Sequence, residues 1–388
     1  GAVTPRTIRA STSTTSYSTS ANPTASAMTI VSDRDRHLFH LGTETTIGTP
    51  STQDKMFIRF SNQEDLNSYT PTAINTAGTF RLDAGNEIRA AVPGKDYTFS
   101  IRQVGTNCGC MGQHAAVSAN GAVYWMGDAG GFYRFDGTVK SIDCLVEDFV
   151  FNTDGTNLGI NYDANKIVYA AHNSLYTEVS WFYAISGEEQ ISRCVTYNYG
   201  ESVWTTSSVD RTSWTDANVF NVPYATDYVS TGTPVFPDIL GLTALYGASF
   251  YYAHETGTDQ VNSTGTTSIN AFIRSGDYDI TSKKSMMGTA TGIADFRGDG
   301  EYFMSVNRII PDFKYLSGNA KLTLYVSSYP EDTAISSPLG PFTVTSTTDK
   351  LNTRARGRLV SINIANDATG ETWRYGTLRL DARADGRR

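Results

Sequence analysis

The stretch VYWMGDAGGFYRFDGT, residues 123–138, reads as two short aromatic strands joined by a glycine-rich turn. Its polar tip carries no obvious catalytic group, so it is either part of a site or one brick of a wall. Relatives of it recur along the chain: FIRFSNQEDLNSYT (57–70), VSWFYAISGEEQISRCVTYNYGESVW (179–204) and SFYYAHETGT (249–258) each begin with an aromatic-rich strand. The middle two hairpins return on a strand rich in Tyr or Phe and break at Asp136-Gly137 and Gly200-Glu201, both good turn chemistry. Phe57, Tyr124, Trp181 and Phe250 stand 67, 57 and 69 residues apart. A repeated antiparallel aromatic hairpin predicts a β-propeller, with insertions lengthening the repeat. The hairpin aromatics, Trp125 and Trp181 included, are then expected in blade packing, because aromatic rings bury large areas.

The rest of the chain is also strand-rich. The best helical candidate is short, Asp143–Phe149, and elsewhere β-branched and aromatic runs are punctuated by Gly, Asn, Asp and Ser. From about Phe272 the strands lengthen and alternate: KLTLYVSSY (321–329), PFTVTSTT (341–348), RLVSINIAN (358–366) and TLRLDARAD (377–385). In RLVSINIAN, Val360, Ile362 and Ile364 share one face, which suits a sheet with one dry side. The expected organisation is all-β: a Ser/Thr-rich extended arm over 1–27, a β-propeller-like domain of repeated aromatic hairpins over 28–270, and a β-sandwich-like domain over 271–388. The arm follows from residues 10–20, where nine of eleven residues are Ser or Thr and no core is possible.

A chain of 388 residues with 39% hydrophobic and 12% aromatic content builds real cores. Its net charge of −8 argues against gripping nucleic acid over the whole surface. No apolar run approaches a membrane span, and no signal peptide is visible. Cys108, Cys110, Cys144 and Cys194 do not form a disulfide framework and are expected to be reduced, packed residues of a protein made inside a cell.

Reaction motifs are missing from the sequence. Glu188-Glu189 and Glu64-Asp65 are adjacent pairs, and neighbours on a strand point to opposite faces. His37 and His40 are three apart, which on a strand disfavours a shared metal, and His114, His172 and His254 are scattered. Arg297-Gly298-Asp299 reads as a hairpin tip, and the turn with Asn152, Asp154 and Asn157 lacks the closing Glu of a calcium loop. The expectation is therefore no catalytic residue, no cofactor and no metal. One charge anomaly stands out. Residues 354–388 hold eight Arg, no Lys and four acids. Arg without Lys favours bidentate, geometrically fixed pairing. Arg354, Arg356 and Arg358 alternate along R-A-R-G-R, so an extended segment projects them from one face. With Arg387 and Arg388 they are the expected protein-interface residues, facing an acidic surface on the chain's own propeller or on a partner.

Several longer passages carry a family resemblance: IRFSNQEDLNSYTPTAINTAGTFRLDAGNEI (58–88), GTNCGCMGQHAAVSANGAVYWMGDAGGFYRFDGTVKSI (105–142), YNYGESVWTT (197–206), RTSWTDANVF (211–220), RIIPDF (308–313), PFTVTSTTDKLNTRARGR (341–358) and WRYGTLRLDARADGRR (373–388). In these the chain resembles the tail nozzle proteins of short-tailed bacteriophages, also called stabilisation or tail tubular protein B-like proteins. The resemblance implies a virion structural protein without enzymatic activity, made in the host cytoplasm. It implies a homo-oligomeric ring, a hexamer, beneath the head-to-tail adaptor, docking a tail fibre or spike. Genomic DNA would pass through its channel without specific binding, along a wall expected to be acidic or neutral. The alternative is a phage receptor-binding or glycan-processing β-propeller, which acids and exposed aromatics gathered at one concave site would mark. A secreted bacterial lectin is a third class and would need a signal peptide.

Overall fold

The computed structural model describes residues 22–32, 35–82, 88, 91, 104–155, 157–217, 219–229, 248–262, 265–279, 302–328 and 336–386. The tract 1–21, Arg297-Gly298-Asp299, Arg387 and Arg388 lie outside them. The chain divides into two units, Gly1–Glu255 and Thr256–Arg388.

The first unit is built from consecutive meanders, each strand pairing antiparallel with the next in sequence. One sheet holds β1 (Met28–Val31), β2 (Leu38–Leu41), β3 (Phe57–Phe60) and β4 (Gly78–Arg81). The next holds β5 (Ala116–Ala119), β6 (Ala122–Met126), β7 (Phe132–Phe135) and β8 (Val139–Ile142). A third holds β9 (Tyr169–Asn173), β10 (Glu178–Tyr183), β11 (Arg193–Asn198) and β12 (Val203–Ser207). A fourth holds β13 (Arg211–Thr215), β14 (Tyr224–Val229) and β15 (Ala248–Ala253). Met28, Ala116, Tyr169 and Ser213, from the first strand of each of these sheets, all line one cleft of about 530 Å³. That convergence of first strands is the arrangement of propeller blades around an axis. The first unit is a β-propeller-like domain.

The hairpin at 123–138 answers for its role. β6 and β7 pair with Met126 opposite Phe132, and the tip turns through Gly130 and Gly131, both at positive φ. A side chain at Gly127 would meet the Gly130 carbonyl at 2.6 Å, so the turn needs glycine there as well. Phe132 is fully buried, with ring centroids 4.8 Å from Trp181 and 4.6 Å from Trp204 of the neighbouring sheet. The Trp181 indole donates to the Ala115 carbonyl at 3.1 Å. Trp125 lies on the other face of β6, stacked on Tyr133 with its indole donating to the Cys108 carbonyl. The aromatics are blade packing.

The helix forms slightly later than expected, as α1 (Glu147–Phe151), because Val150 and Phe151 are the residues the core takes up. Residues 22–27 are already packed: Thr24 donates through its backbone and hydroxyl to the buried Glu44 carboxylate, and Ala27 N–H donates to the Leu41 carbonyl.

The second unit is a β-sandwich-like domain. After the hairpin β16 (Asp259–Asn262) and β17 (Gly265–Ser268), its strands are β18 (Phe272–Arg274), β19 (Met304–Ile310), β20 (Phe313–Ser317), β21 (Ala320–Ser327), β22 (Ser336–Val344), β23 (Leu351–Gly357), β24 (Leu359–Ala365), β25 (Thr372–Tyr375) and β26 (Arg379–Ala384). Sheet β18-β24-β21-β22 and sheet β23-β19-β26 share one core: Leu322, Leu324, Val360 and Ile362 from the first, Val306, Ile309 and Ala355 from the second. Burial alternates without exception along β21. The unit begins at Thr256 rather than at 271, because the β16–β17 hairpin is tied into it. Asp259 accepts from Gly370 N–H, and the Ser268 hydroxyl donates to the Asp367 carbonyl.

Candidate functional site

The sites expected from local sequence resolve into structure. His37 Nδ1 lies 2.7 Å from the Ser61 carbonyl, and His40 contacts Ser26 and Tyr69. Burial pushes His40 down to about 4. No group of three or more His, Cys, Asp or Glu suited to a metal occurs among the described residues. Glu188 and Glu189 are exposed, and Glu64 faces Arg36 across a solvated 3.5 Å ion pair. The Asp154 carboxylate caps its own turn, accepting from Asn157 N–H. Among the described residues no helix is long and apolar enough to cross a membrane.

A different pair of carboxyls comes together through the fold. β9 ends at Asn173 and β10 begins at Glu178, and the register sets these two residues directly opposite each other. β15 delivers Glu255 to the same place, where Asn173 Nδ2 donates to Glu255 Oε1 at 2.9 Å. The Asn173 amide also favours the charged form of Glu178, so two carboxyls far apart in sequence meet at one buried amide. Burial pushes both above the ordinary carboxyl range, and the charge of Glu255 pushes Glu178 further. Asn173 is 4% exposed, and its Oδ1 has no hydrogen-bond partner among the described residues. Glu255 itself is exposed, so the pair is open to solvent from one side.

Beside the pair lies a second polar group. Asp216 Oδ1 accepts from the backbone and hydroxyl of Ser174, and its Oδ2 stands 3.4 Å from His172 Nδ1. His172 Nε2 contacts the Tyr199 hydroxyl at 3.1 Å. Burial lowers the His172 pKa, and Asp216 opposes that. The β9–β10 turn, between Asn173 and Glu178, carries the exposed Tyr176. Two neighbouring carboxyls that both titrate higher than usual can divide into a proton donor and a carboxylate.

Sequence reasoning missed Glu178 and Glu255 because only tertiary pairing unites them, 77 positions apart. The one available signal was the glutamate closing AHE after an aromatic strand. The expected interface arginines are all in the second unit. Arg354 and Arg356 project from one exposed face of β23, and Arg356 Nε donates to Asp385 Oδ2 at 2.6 Å. Arg356 and Arg358 lie over the Phe303 ring at 4.2 and 4.7 Å. The observed acid beside Arg356 therefore belongs to its own unit rather than to the propeller.

No family model and no curated protein matches the chain. Among solved structures it is similar to an exo-β-1,3-galactanase from Phanerochaete chrysosporium with β-1,3-galactotriose, at 8% identity and a TM-score of 0.25, covering 91% of this chain and 80% of that one. It is also similar to a glycoside hydrolase at 12% identity and a TM-score of 0.25, covering 90% and 84%. These matches correct the expectation of a ring-forming tail nozzle without enzymatic activity, since they are glycoside hydrolases. Likeness at that level transfers no mechanism. The sequence reading found no carboxyls at catalytic spacing, and the fold brings Glu178 of the third sheet and Glu255, just after the fourth, to Asn173.

Proposed function

We propose that the chain is a glycan-processing β-propeller protein, with Glu178 and Glu255 as its working carboxyls. The observation that carries this reading is the pair itself: Glu255 bonded to the buried Asn173 amide and Glu178 in register with that residue, both carboxyls shifted upward. Glycoside hydrolysis needs one carboxylic acid to protonate the leaving oxygen and one carboxylate on the other side of the scissile bond. Glu178, the more perturbed by its neighbour's charge, suits the acid, and solvent-facing Glu255 suits the carboxylate. Asn173, buried behind the pair, holds Glu255 in place through its amide. The resemblance to phage tail proteins supports a particle-borne setting, in which the substrate is a cell-surface polysaccharide.

The test is release of reducing ends from a panel of neutral and acidic polysaccharides. Wild-type protein is expected to release them. Glu178→Gln and Glu255→Gln are each expected to lower the rate at least about 100-fold, with the thermal midpoint unchanged or raised. No release from any glycan of the panel, or undiminished release by both variants, overturns the reading.

A further inference from the structure

We propose that the outer face of sheet β23-β19-β26 is a binding surface for a carboxylated polysaccharide, a polyuronate. The register carries the argument. Arg356, Ser305 and Arg383 stand in one row across the three strands, and Asn352, Arg308 and Asp381 in another. Arg354 lies between those rows on β23, and Arg379 lies opposite Ile310 at the end of β26. Val306 and Ile309, which alternate with these positions, point into the core. The face thus shows five arginines and two aspartates, Asp381 and Asp385, all exposed. Neighbouring strands are about 4.8 Å apart and alternate positions about 6.6 Å apart along them, and a bulge between Val306 and Arg308 separates the two rows, so the arginines are clustered on one face.

Among the described residues, Arg308, Arg354, Arg379 and Arg383 form no ion pair, while Arg356 is held by Asp385. A cluster of like charges in water is maintained at a cost and invites an anion. Arginine to the exclusion of lysine selects planar carboxylates, which the guanidinium fork grips through two parallel hydrogen bonds. Asp381, set among the arginines, discriminates between polyanions. It repels a phosphodiester backbone, which offers it no donor, but accepts hydrogen bonds from sugar hydroxyls. Charge also separates the two units: residues 1–255 hold 15 Lys and Arg against 25 Asp and Glu, and residues 256–388 hold 16 against 14. The balances of −10 and +2 leave the second unit as the part of the chain to which an anionic polymer can be drawn. This surface is independent of the Glu178–Glu255 reading, since it lies on the other unit and requires no catalysis.

The experiment is titration of the full chain with polygalacturonate, dextran and duplex DNA at low and physiological salt. Polygalacturonate is expected to bind with a steep loss on adding salt, dextran not to bind, and DNA to bind more weakly than polygalacturonate per charge. Combined Arg308→Gln, Arg354→Gln, Arg379→Gln and Arg383→Gln is expected to weaken polygalacturonate binding at least tenfold. Should that variant fold poorly, Arg354→Lys with Arg383→Lys keeps the charge and is still expected to weaken binding severalfold, because bidentate geometry is lost. Glu178→Gln is expected to bind as wild type, which separates this surface from the carboxyl pair. Unchanged affinity in the arginine variants, tighter binding of DNA than of polygalacturonate, or salt-sensitive self-association without polygalacturonate binding overturns the proposal.

Discussion

Single residues carry much of this fold's specificity. Trp181 is fully buried and spans two sheets, packing on Phe132 and Trp204 and bonding the Ala115 carbonyl. Truncation to Ala leaves a large cavity and an unpaired carbonyl, so Trp181→Ala is expected to cost about 3–5 kcal/mol, read from the denaturant midpoint. Histidines set a pH limit. Arg211 Nε donates to His254 Nε2 at 3.0 Å, which requires a neutral ring, and burial with the Arg211 charge brings His254 down to about 4. His40, behind Tyr69, is brought to the same region. A group whose folded pKa lies below its unfolded value stabilises the fold above the unfolded value, near 6.5, and loses that contribution as pH falls to the folded one. Stability is therefore expected to drop between pH 6.5 and 4, by up to about 3 kcal/mol per histidine. Equilibrium unfolding across that range checks it, and His254→Asn is expected to flatten the slope. A pH-independent midpoint would contradict both assignments.

At the scale of elements, what was legible in the sequence is what local pattern dictates. Alternation along KLTLYVSSY produced a strand buried at every second position, and the Gly-rich tip at 127–131 produced a two-strand hairpin. Val360, Ile362 and Ile364 form a dry face because that side of their sheet covers the core. The strand pairings that create chemistry were not legible, since they depend on which blade edge meets which. Asn173 opposes Glu178 because the β9–β10 turn fixes their register, but Glu255 arrives from a separate sheet. The arginine face was half visible. R-A-R-G-R announced two of its exposed positions, whereas Arg308 and Arg383 join only through pairing of β19 with β23 and β26. The carboxyl pair yields a further expectation at this scale. Asn173→Leu removes the amide that favours both charged carboxyls, so both should titrate still higher, and the acid limb of any pH–rate profile is expected to move to higher pH. An unmoved acid limb in an otherwise active Asn173→Leu protein would detach Asn173 from the pair.

At the scale of the whole molecule, the two units have cores of their own, one built on aromatic rings and one on aliphatic side chains. Four of the five tryptophans, Trp125, Trp181, Trp204 and Trp214, lie in the first unit, and only Trp373 lies in the second. Tryptophan emission therefore reports mainly on the propeller-like unit. Leu324 is fully buried in the centre of the sandwich core, where Leu324→Ala is expected to cost about 2–5 kcal/mol. If each core is an independent cooperative unit, that loss stays in the second unit. Denaturant unfolding of Leu324→Ala is then expected to show an unchanged tryptophan transition, while backbone circular dichroism gains an earlier step from the sandwich strands. Trp181→Ala should do the reverse, moving the fluorescence transition and leaving the sandwich step in place. A single transition that shifts equally in both variants would mean that the two cores unfold as one, and that the division at Glu255 separates folds but not stabilities.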